Sequence, residues 1–333
     1  MEAGRLVVGV DGGNTKTVAL ACDLTGRAVG IGRGGSSNWE MLGAPRAAAV
    51  ITDIVEQALA MARRQRKDVL CLHMTLAGVD WPDDVPRMET ALRESGWECP
   101  LGLENDSFAA IRASAPEGHG IGVTAGTGVA SAIIRPDGEK YFYGAFTDLG
   151  GGIDAAAQGL RAVIRTEDGR GRPTALAPAL LEATSYPTVT ALVRDLHREG
   201  RHIPRTILDP VLFATAAKGD PVAVEIVTRF GGELALCATN LILRYGLTRE
   251  APAVIASGSL FMKTGPLLFD LFCREVLAAA PRARMILSDQ PPVMGAVRGA
   301  LAAASRDAPE VWEELRRRVS QQGWLRADVA GPA

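Results

Sequence analysis

The sequence predicts an α/β protein made of two similar halves, each a mixed sheet flanked by helices, with a cleft between them. Three observations lead there. A strand–glycine turn–strand pattern occurs twice: Val7 to Val10 runs into Asp11-Gly12-Gly13-Asn14-Thr15-Lys16-Thr17, and Ile121 to Thr124 runs into Ala125-Gly126-Thr127-Gly128. Gly9 matches Gly122 at an offset of 113 residues and Gly26 matches Gly138 at 112, the mark of an internal repeat. Strand and helix periodicities alternate, as they do where helices cover both faces of a sheet, and 333 residues with a mass of 35.1 kDa suffice for two cores.

Apolar runs at 5–10, 18–23 and 27–32 predict three antiparallel strands. Residues 44–64 carry Ala, Val, Ile and Leu at helical spacing and end in the basic cluster Arg63-Arg64-Gln65-Arg66-Lys67, where positive charge suits a helix C-terminus. A strand at 69–76, a helix at 84–95, a strand at 100–104 and a helix at 107–114 complete the first half. Ala115-Pro116-Glu117-Gly118-His119-Gly120 is the expected passage to the second half. There, strands at 120–124, 129–135 and 140–143 precede a long helical region that contains the charged Gly/Pro loop 166–174. A helix at 221–245, a strand at 253–257, a helix at 266–279, a strand at 283–287 and helices at 292–304 and 308–320 follow. The expected division is 1–116, 117–305, and a C-terminal segment 306–333 folding back on the first domain.

A net charge of −2 and a pI of about 6.2 give a nucleic-acid partner no electrostatic support. Cys22, Cys71, Cys99, Cys237 and Cys273 form no C-x-x-C pair, so neither a zinc knuckle nor a disulfide framework is indicated. The N-terminus enters a strand directly, and no uncharged apolar run reaches the roughly 18–20 residues that span a bilayer. The expectation is a cytoplasmic protein without a membrane partner.

The two glycine turns carry the chemistry. A turn without Cβ atoms lets backbone N–H groups approach an anion closely. Asn14, Thr15, Lys16, Thr124 and Thr127 add side-chain donors at the same places, and Asp11 places a carboxylate where hydrated Mg²⁺ would bridge to a polyphosphate. The plain alternative for each turn is an ordinary hairpin. Asp106 stands between a predicted strand and a predicted helix, where α/β proteins bind ligands; it reads equally as a helix cap. Asp148 in its Gly-rich segment has a turn-stabilising alternative, and Asn38 a local loop one. Arg170 and Arg172 are weaker candidates for phosphate contact, Asp154 reads as a helix-start residue, and the four histidines show no ligand spacing.

Asp11-Gly12-Gly13-Asn14-Thr15-Lys16-Thr17 resembles the first phosphate loop of the sugar kinase/heat-shock 70/actin superfamily. Gly126-Thr127-Gly128 resembles the second, and Ser257-Gly258-Ser259-Leu260 the adenosine motif. Gly35-Ser36-Ser37-Asn38, Leu76-Ala77-Gly78-Val79-Asp80, Asn105-Asp106, Asp148-Leu149-Gly150-Gly151-Gly152, Glu167-Asp168-Gly169-Arg170-Gly171 and Pro291 to Ala296 extend the likeness over roughly residues 5–300. Within the superfamily the chain resembles the BadF/BadG/BcrA/BcrD-type ATPases, and among those the N-acetylglucosamine kinase branch.

The resemblance implies two actin-like, ribonuclease-H-like domains closing over ATP and sugar, with ATP and Mg²⁺ as cofactors. By it, Asp11 would hold Mg²⁺ through water. Gly12, Gly13, Asn14, Thr15, Lys16, Thr124, Gly126, Thr127 and Gly128 would cradle phosphates, and Ser257, Gly258 and Ser259 the adenosine. Asn38, Asn105, Asp106, Asp148 and Gly150 would bind the sugar, with Asp106 also the base. The sugar motif departs from the family pattern at Leu149, the second phosphate loop at Val129, and the adenosine motif at Ser257. The implied reaction is phosphorylation of the 6-hydroxyl of an amino sugar. The implied partners are a small-molecule sugar and ATP, with a homodimer allowed. Two other classes compete: a non-catalytic ATP- or sugar-binding module, and an ATP-driven activator of acyl-CoA dehydratases. The scattered cysteines speak against the cluster the activator would need.

Overall fold

A computed structural model describes residues 4–126, 128–143 and 150–325. The described residues pack as two units. The first holds 4–120, 133–141 and 288–325; the second holds 121–132 and 142–287. The expected boundaries at 116 and 305 divide the chain serially, whereas residues 288–305 pack with the N-terminal sheet.

In the first unit, β1 (Leu6–Gly12), β2 (Thr17–Asp23), β3 (Ala28–Gly34), β4 (Val69–Leu76) and β5 (Leu101–Asn105) form a sheet of order β3-β2-β1-β4-β5. β1, β2 and β3 are antiparallel neighbours, while β1, β4 and β5 run parallel. Side chains alternate across the pleat, so β1 feeds two cores. Leu6, Val8 and Val10 pack with Ala47, Ile51, Ile54, Val55 and Ala58 of the helix Ala44–Met61, whose apolar residues recur at helical spacing. Val7 joins Val293, Met294, Val297, Trp312 and Leu315 of the helices Pro292–Ala303 and Pro309–Gln322 on the opposite face.

The helix Pro292–Ala303 is buried all round from Val293 to Leu301, its small and apolar residues interrupted by Arg298, as a helix apolar on every face requires. Gly9 and Gly295 permit its approach: a Cβ at Gly9 would strike the Val297 backbone, and one at Gly295 the Ala109 carbonyl. Its one charged residue, Arg298, is 6 % exposed. That guanidinium pairs with Asp307 at 3.2 Å and donates to the carbonyls of Ala115 (2.7 Å) and Pro116 (2.9 Å). The loop after the helix Ala109–Ser114 is therefore tied to the C-terminal helices, because a buried guanidinium must place its donors.

The second sheet has the order β10-β9-β6-β7-β8, with β6 (Gly120–Ala125), β7 (Val129–Ile134), β8 (Lys140–Phe142), β9 (Ala253–Ser257) and β10 (Arg284–Leu287). β6, β9 and β10 are parallel. The repeat read from sequence reappears here: the strand-reversing glycines Gly26 and Gly138 have φ of +87° and +88°. Asp23 and Arg135 occupy equivalent places: their carbonyls accept from Gly26 N–H (3.1 Å) and Gly138 N–H (3.0 Å), and their own N–H groups donate to the carbonyls of Arg27 (2.9 Å) and Glu139 (2.9 Å). The two five-stranded mixed sheets with helical flanks bear out the expected fold class.

The helical region resolves into Gly152–Glu167, Leu176–Thr184, Val189–Arg198, Arg205–Ala217, Pro221–Arg244 and Pro266–Ala279. Among the described residues Pro221–Arg244 alone is long and apolar enough to cross a bilayer. Val227, Phe230, Leu234, Ala238, Leu241 and Ile242 of that helix are buried in the second unit against its neighbouring helices.

Candidate active site

In the first unit, three parallel strands deliver their carboxyl ends side by side. Asp11 pairs in register with Thr75, Gly12 with Leu76, and Leu76 in turn with Asn105. The first glycine turn, the loop after β4 and the Asn105-Asp106 turn thus share one sheet edge, the place where parallel α/β sheets bind ligands. Each loop is built tightly. Gly13 N–H donates to the Lys16 carbonyl at 2.9 Å, closing the phosphate hairpin. A Cβ on Gly12 would strike Ser37 Oγ, and Ser37 Oγ itself lies 2.8 Å from Thr17 Oγ1.

Asn38 is 6 % exposed. Its Oδ1 accepts from Glu40 N–H at 2.8 Å, capping the short helix Trp39–Leu42, and its Nδ2 donates to Asn14 Oδ1 at 2.6 Å. Trp39 beside it donates its indole N–H to the Gly78 carbonyl and lies under the Arg87 guanidinium, 4.9 Å from the ring centre. The Asp11 carboxylate faces Thr75 Oγ1 at 3.4 Å.

Asp106 opens the 3₁₀ turn Asp106–Phe108, and the helix Ala109–Ser114 continues it. The cap is Asn105, whose Oδ1 accepts from Ser107 N–H at 2.9 Å. The N-cap position is therefore held by Asn105, while the Asp106 carboxylate also accepts from the backbone of Ser107 and from its own N–H. Burial, then the charge of Asp80, pushes the Asp106 carboxyl up to about 6, against hydrogen bonds from the backbone of Ser107 and of Asp106 itself. Asp80 is raised too, first by burial and then by Glu40 and Asp84.

Behind this edge sits an ionic cluster that nothing in the linear sequence marks. Glu104, 5 % exposed, meets His73 at 3.0 Å, Arg112 at 2.6 Å and Lys140 at 2.6 Å. Burial pushes its carboxyl up, but the His73 hydrogen bond and the Arg112 charge outweigh that and hold it well below the usual carboxylate range. His73 therefore has a structural partner although it shows no ligand spacing. The signal for Asp80 was positional: it follows β4 in a Gly-containing turn, as Asp106 follows β5.

In the second unit the second glycine turn and the Ser257-Gly258 turn meet at the ends of two parallel strands. Thr124 pairs with Ser257 in register, and their hydroxyls lie 2.6 Å apart. Gly258, at φ +95°, presses its backbone against Ala125, where a Cβ would strike the Ala125 carbonyl. The Gly126 carbonyl accepts from Gly152 N–H at 3.0 Å, at the start of the helix Gly152–Glu167, and from Arg205 Nη2 at 3.0 Å. Arg205 also pairs with Asp209 at 2.7 Å; it is a loop-holding residue that the sequence reading did not single out.

Asp154 stands in the first turn of that helix and accepts from Gly150 N–H at 2.5 Å. Thr127 and Asp148 lie outside the described residues. Arg170 pairs with Asp168 at 2.5 Å, and Arg172 with Glu225, all on the exposed surface. Among the described residues no three His, Cys, Asp or Glu side chains converge as a metal cage.

The fold is one of two five-stranded mixed sheets with glycine turns at their strand ends. The chain belongs to the BadF/BadG/BcrA/BcrD ATPase family, which it matches over residues 8–298. Its relatives include an N-acetyl-D-glucosamine kinase of Dictyostelium discoideum, 26 % identical over 88 % of this chain and 96 % of that one. A glucosamine kinase of Vibrio cholerae is 24 % identical over 69 % of this chain and 78 % of its own length. Among solved structures, a ROK family glucokinase of Streptomyces griseus in complex with glucose and AMPPNP superposes with a TM-score of 0.58 at 19 % identity, covering 90 % of this chain and 99 % of the other. A ROK family transcriptional regulator shares the fold at a TM-score of 0.55 and 15 % identity, covering 96 % of this chain and 82 % of its own. Function is therefore argued from the site.

Proposed function

We propose that this protein transfers the γ-phosphoryl group of ATP to the 6-hydroxyl of an amino sugar of the N-acetylglucosamine or glucosamine class. The observation that carries the reading is Asp106: a carboxylate next to the cap residue Asn105, raised to about 6, on the same sheet edge as the Asp11–Lys16 turn. The kinase activities of the hexosamine-specific relatives support it.

Phosphoryl transfer asks mainly for alignment, charge neutralisation and an oriented nucleophile. Asp106 accepts the proton of the acceptor hydroxyl as its oxygen bonds to the γ-phosphorus and the bond to the β-phosphate oxygen breaks, releasing ADP. Gly12, Gly13, Asn14, Thr15 and Lys16, and Thr124, Gly126, Thr127 and Gly128, hold phosphate oxygens. Ser257, Gly258 and Ser259 bind the adenosine. Asn38, Asp106, Asp148 and Gly150 bind the sugar. Asn105 contributes from beneath Asp106, since both its amide hydrogens are already placed on Asp80 and Val79.

Mg²⁺ fits this chain as an ion held by one carboxylate, water and substrate phosphates, the usual arrangement for a cation that keeps its waters. Asp11, a lone acid at a strand end backed by Thr75, matches that donor set. Bound there, Mg²⁺ would neutralise charge on the transferring group.

The test is a coupled ADP-release screen over hexoses, amino sugars and N-acetylated amino sugars. Sugar-dependent ADP release with a hexosamine, and 6-phosphate product by NMR, is the expected result. Release with none of the hexosamines would leave a binding module as the better reading.

A further inference from the structure

The loop between β4 and the helix Asp84–Glu94 is fixed from below. Asp84 is 3 % exposed, and its Oδ2 accepts from Asp80 N–H at 2.9 Å and Trp81 N–H at 2.7 Å. This aims the Asp80 carboxylate at Asn105, whose Nδ2 donates to it at 2.7 Å and to the Val79 carbonyl at 3.2 Å. The oxygen of the same amide caps the Asp106 turn at 2.9 Å. Asn105 is 5 % exposed, so it cannot turn without orphaning buried polar groups, a costly change.

We propose that Asp80 is a positioning residue for the transfer: it holds Asn105, and through Asn105 the turn that presents Asp106 to the acceptor hydroxyl, and it does so with a second negative charge beside the base. The proposal rests on the kinase reading with Asp106 as base. A residue needed only as an acceptor for Asn105 would serve equally as an asparagine. The carboxylate adds charge, and the charges around it are acidic. Glu40 comes from the helix after Asn38, and Asp84 from the helix after the loop. Glu104, one residue before Asn105, is engaged with His73, Arg112 and Lys140, and Lys140 lies 5.8 Å from the Phe108 ring centre. Arg87 is taken up by Trp39 and by Asp83 at 3.5 Å. A like charge beside Asp106 favours its protonated form, which fits the carboxyl standing at about 6. A base so tuned drives proton abstraction near neutral pH better than an ordinary aspartate.

Asp80→Asn keeps an acceptor for Asn105 and removes the charge; Asp80→Ala removes both. In Asp80→Asn the acid limb of kcat/KM for the sugar should move to lower pH by about one unit, with kcat lowered several-fold and KM for ATP unchanged. In Asp80→Ala kcat should fall further at every pH, and thermal melting should drop as expected for one buried donor left without its acceptor, whereas Asp80→Asn melts close to the parent. Carboxyl ¹³C NMR titration of Asp106 gives a readout free of turnover, and its midpoint should drop in Asp80→Asn by the same amount. An unmoved Asp106 titration, or an unmoved acid limb, overturns the proposal. If the parent phosphorylates no hexosamine, the kinase reading fails instead, and the NMR titration still decides whether Asp80 acts on Asp106.

Discussion

Asn38 donates its side-chain amide to Asn14 Oδ1 at 2.6 Å, linking the loop after β3 to the turn of the phosphate hairpin. Asn38 is buried and Asn14 exposed, so the bond ties a fixed side chain to a surface turn. Asn38→Ala should therefore raise KM for ATP as well as for the sugar. A double-mutant cycle of Asn14→Ala and Asn38→Ala on thermal stability should show a coupling of about 0.5–3 kcal/mol. Strictly additive effects would mean that the two residues act separately.

Asp106→Asn should cost turnover and add stability. Loss of a general base typically lowers kcat by about 10²–10⁴-fold. Folding raises the Asp106 carboxyl from 3.8 to about 6, so the native state binds this proton more tightly than the unfolded chain. The group is neutral to stability below the unfolded value, becomes destabilising as pH rises toward the folded one, and stays so above it. The variant should melt higher than the parent near neutral pH, with the difference vanishing in acid. Equal melting temperatures across the whole range would contradict the raised carboxyl.

Glu104→Gln should be strongly destabilising, by about 3–5 kcal/mol, because it leaves His73 and Arg112 with an unmatched buried site. Lys140→Ala should cost only about 0–1 kcal/mol, since that ammonium is 36 % exposed. Folding holds the Glu104 carboxyl below its ordinary value. Its stabilisation is therefore present above the unfolded value and is lost as pH falls through the folded one. Denaturant titrations at neutral and acid pH check both statements, and a Glu104→Gln variant as stable as the parent would remove the cluster's structural role.

Gly9→Ala should destabilise by about 1–3 kcal/mol or more through overpacking, because the added methyl meets the backbone of the helix Pro292–Ala303. Gly35→Ala, with nothing within 4 Å of the added carbon, should stay within about 0.5 kcal/mol of the parent. The pair distinguishes a packing constraint from a general intolerance of glycine replacement, and one set of thermal melts decides it.

Much of this molecule was legible in its linear order, because strands, helices and tight turns answer to local rules. The period-two runs of β1 to β3, the helical spacing of residues 44–61 and the turn glycines at 26 and 138 express backbone preferences that neighbouring residues settle among themselves. The glycine turns at 12–13 and 126–128 were visible for the same reason, since such a turn is made by consecutive residues. What the tertiary structure decided depends on contacts between residues far apart in sequence. The helix Pro292–Ala303 returns to the N-terminal sheet because only there do Gly9 and Gly295 let backbones meet. The Glu104 cluster gathers charges from β4, β5, a helix and β8. That Asn105 caps the turn at Asp106 shows only in the fold, and Asp80 meets Asn105 only because β4 and β5 lie side by side. Strand order and burial set those meetings, and both are properties of the folded chain as a whole.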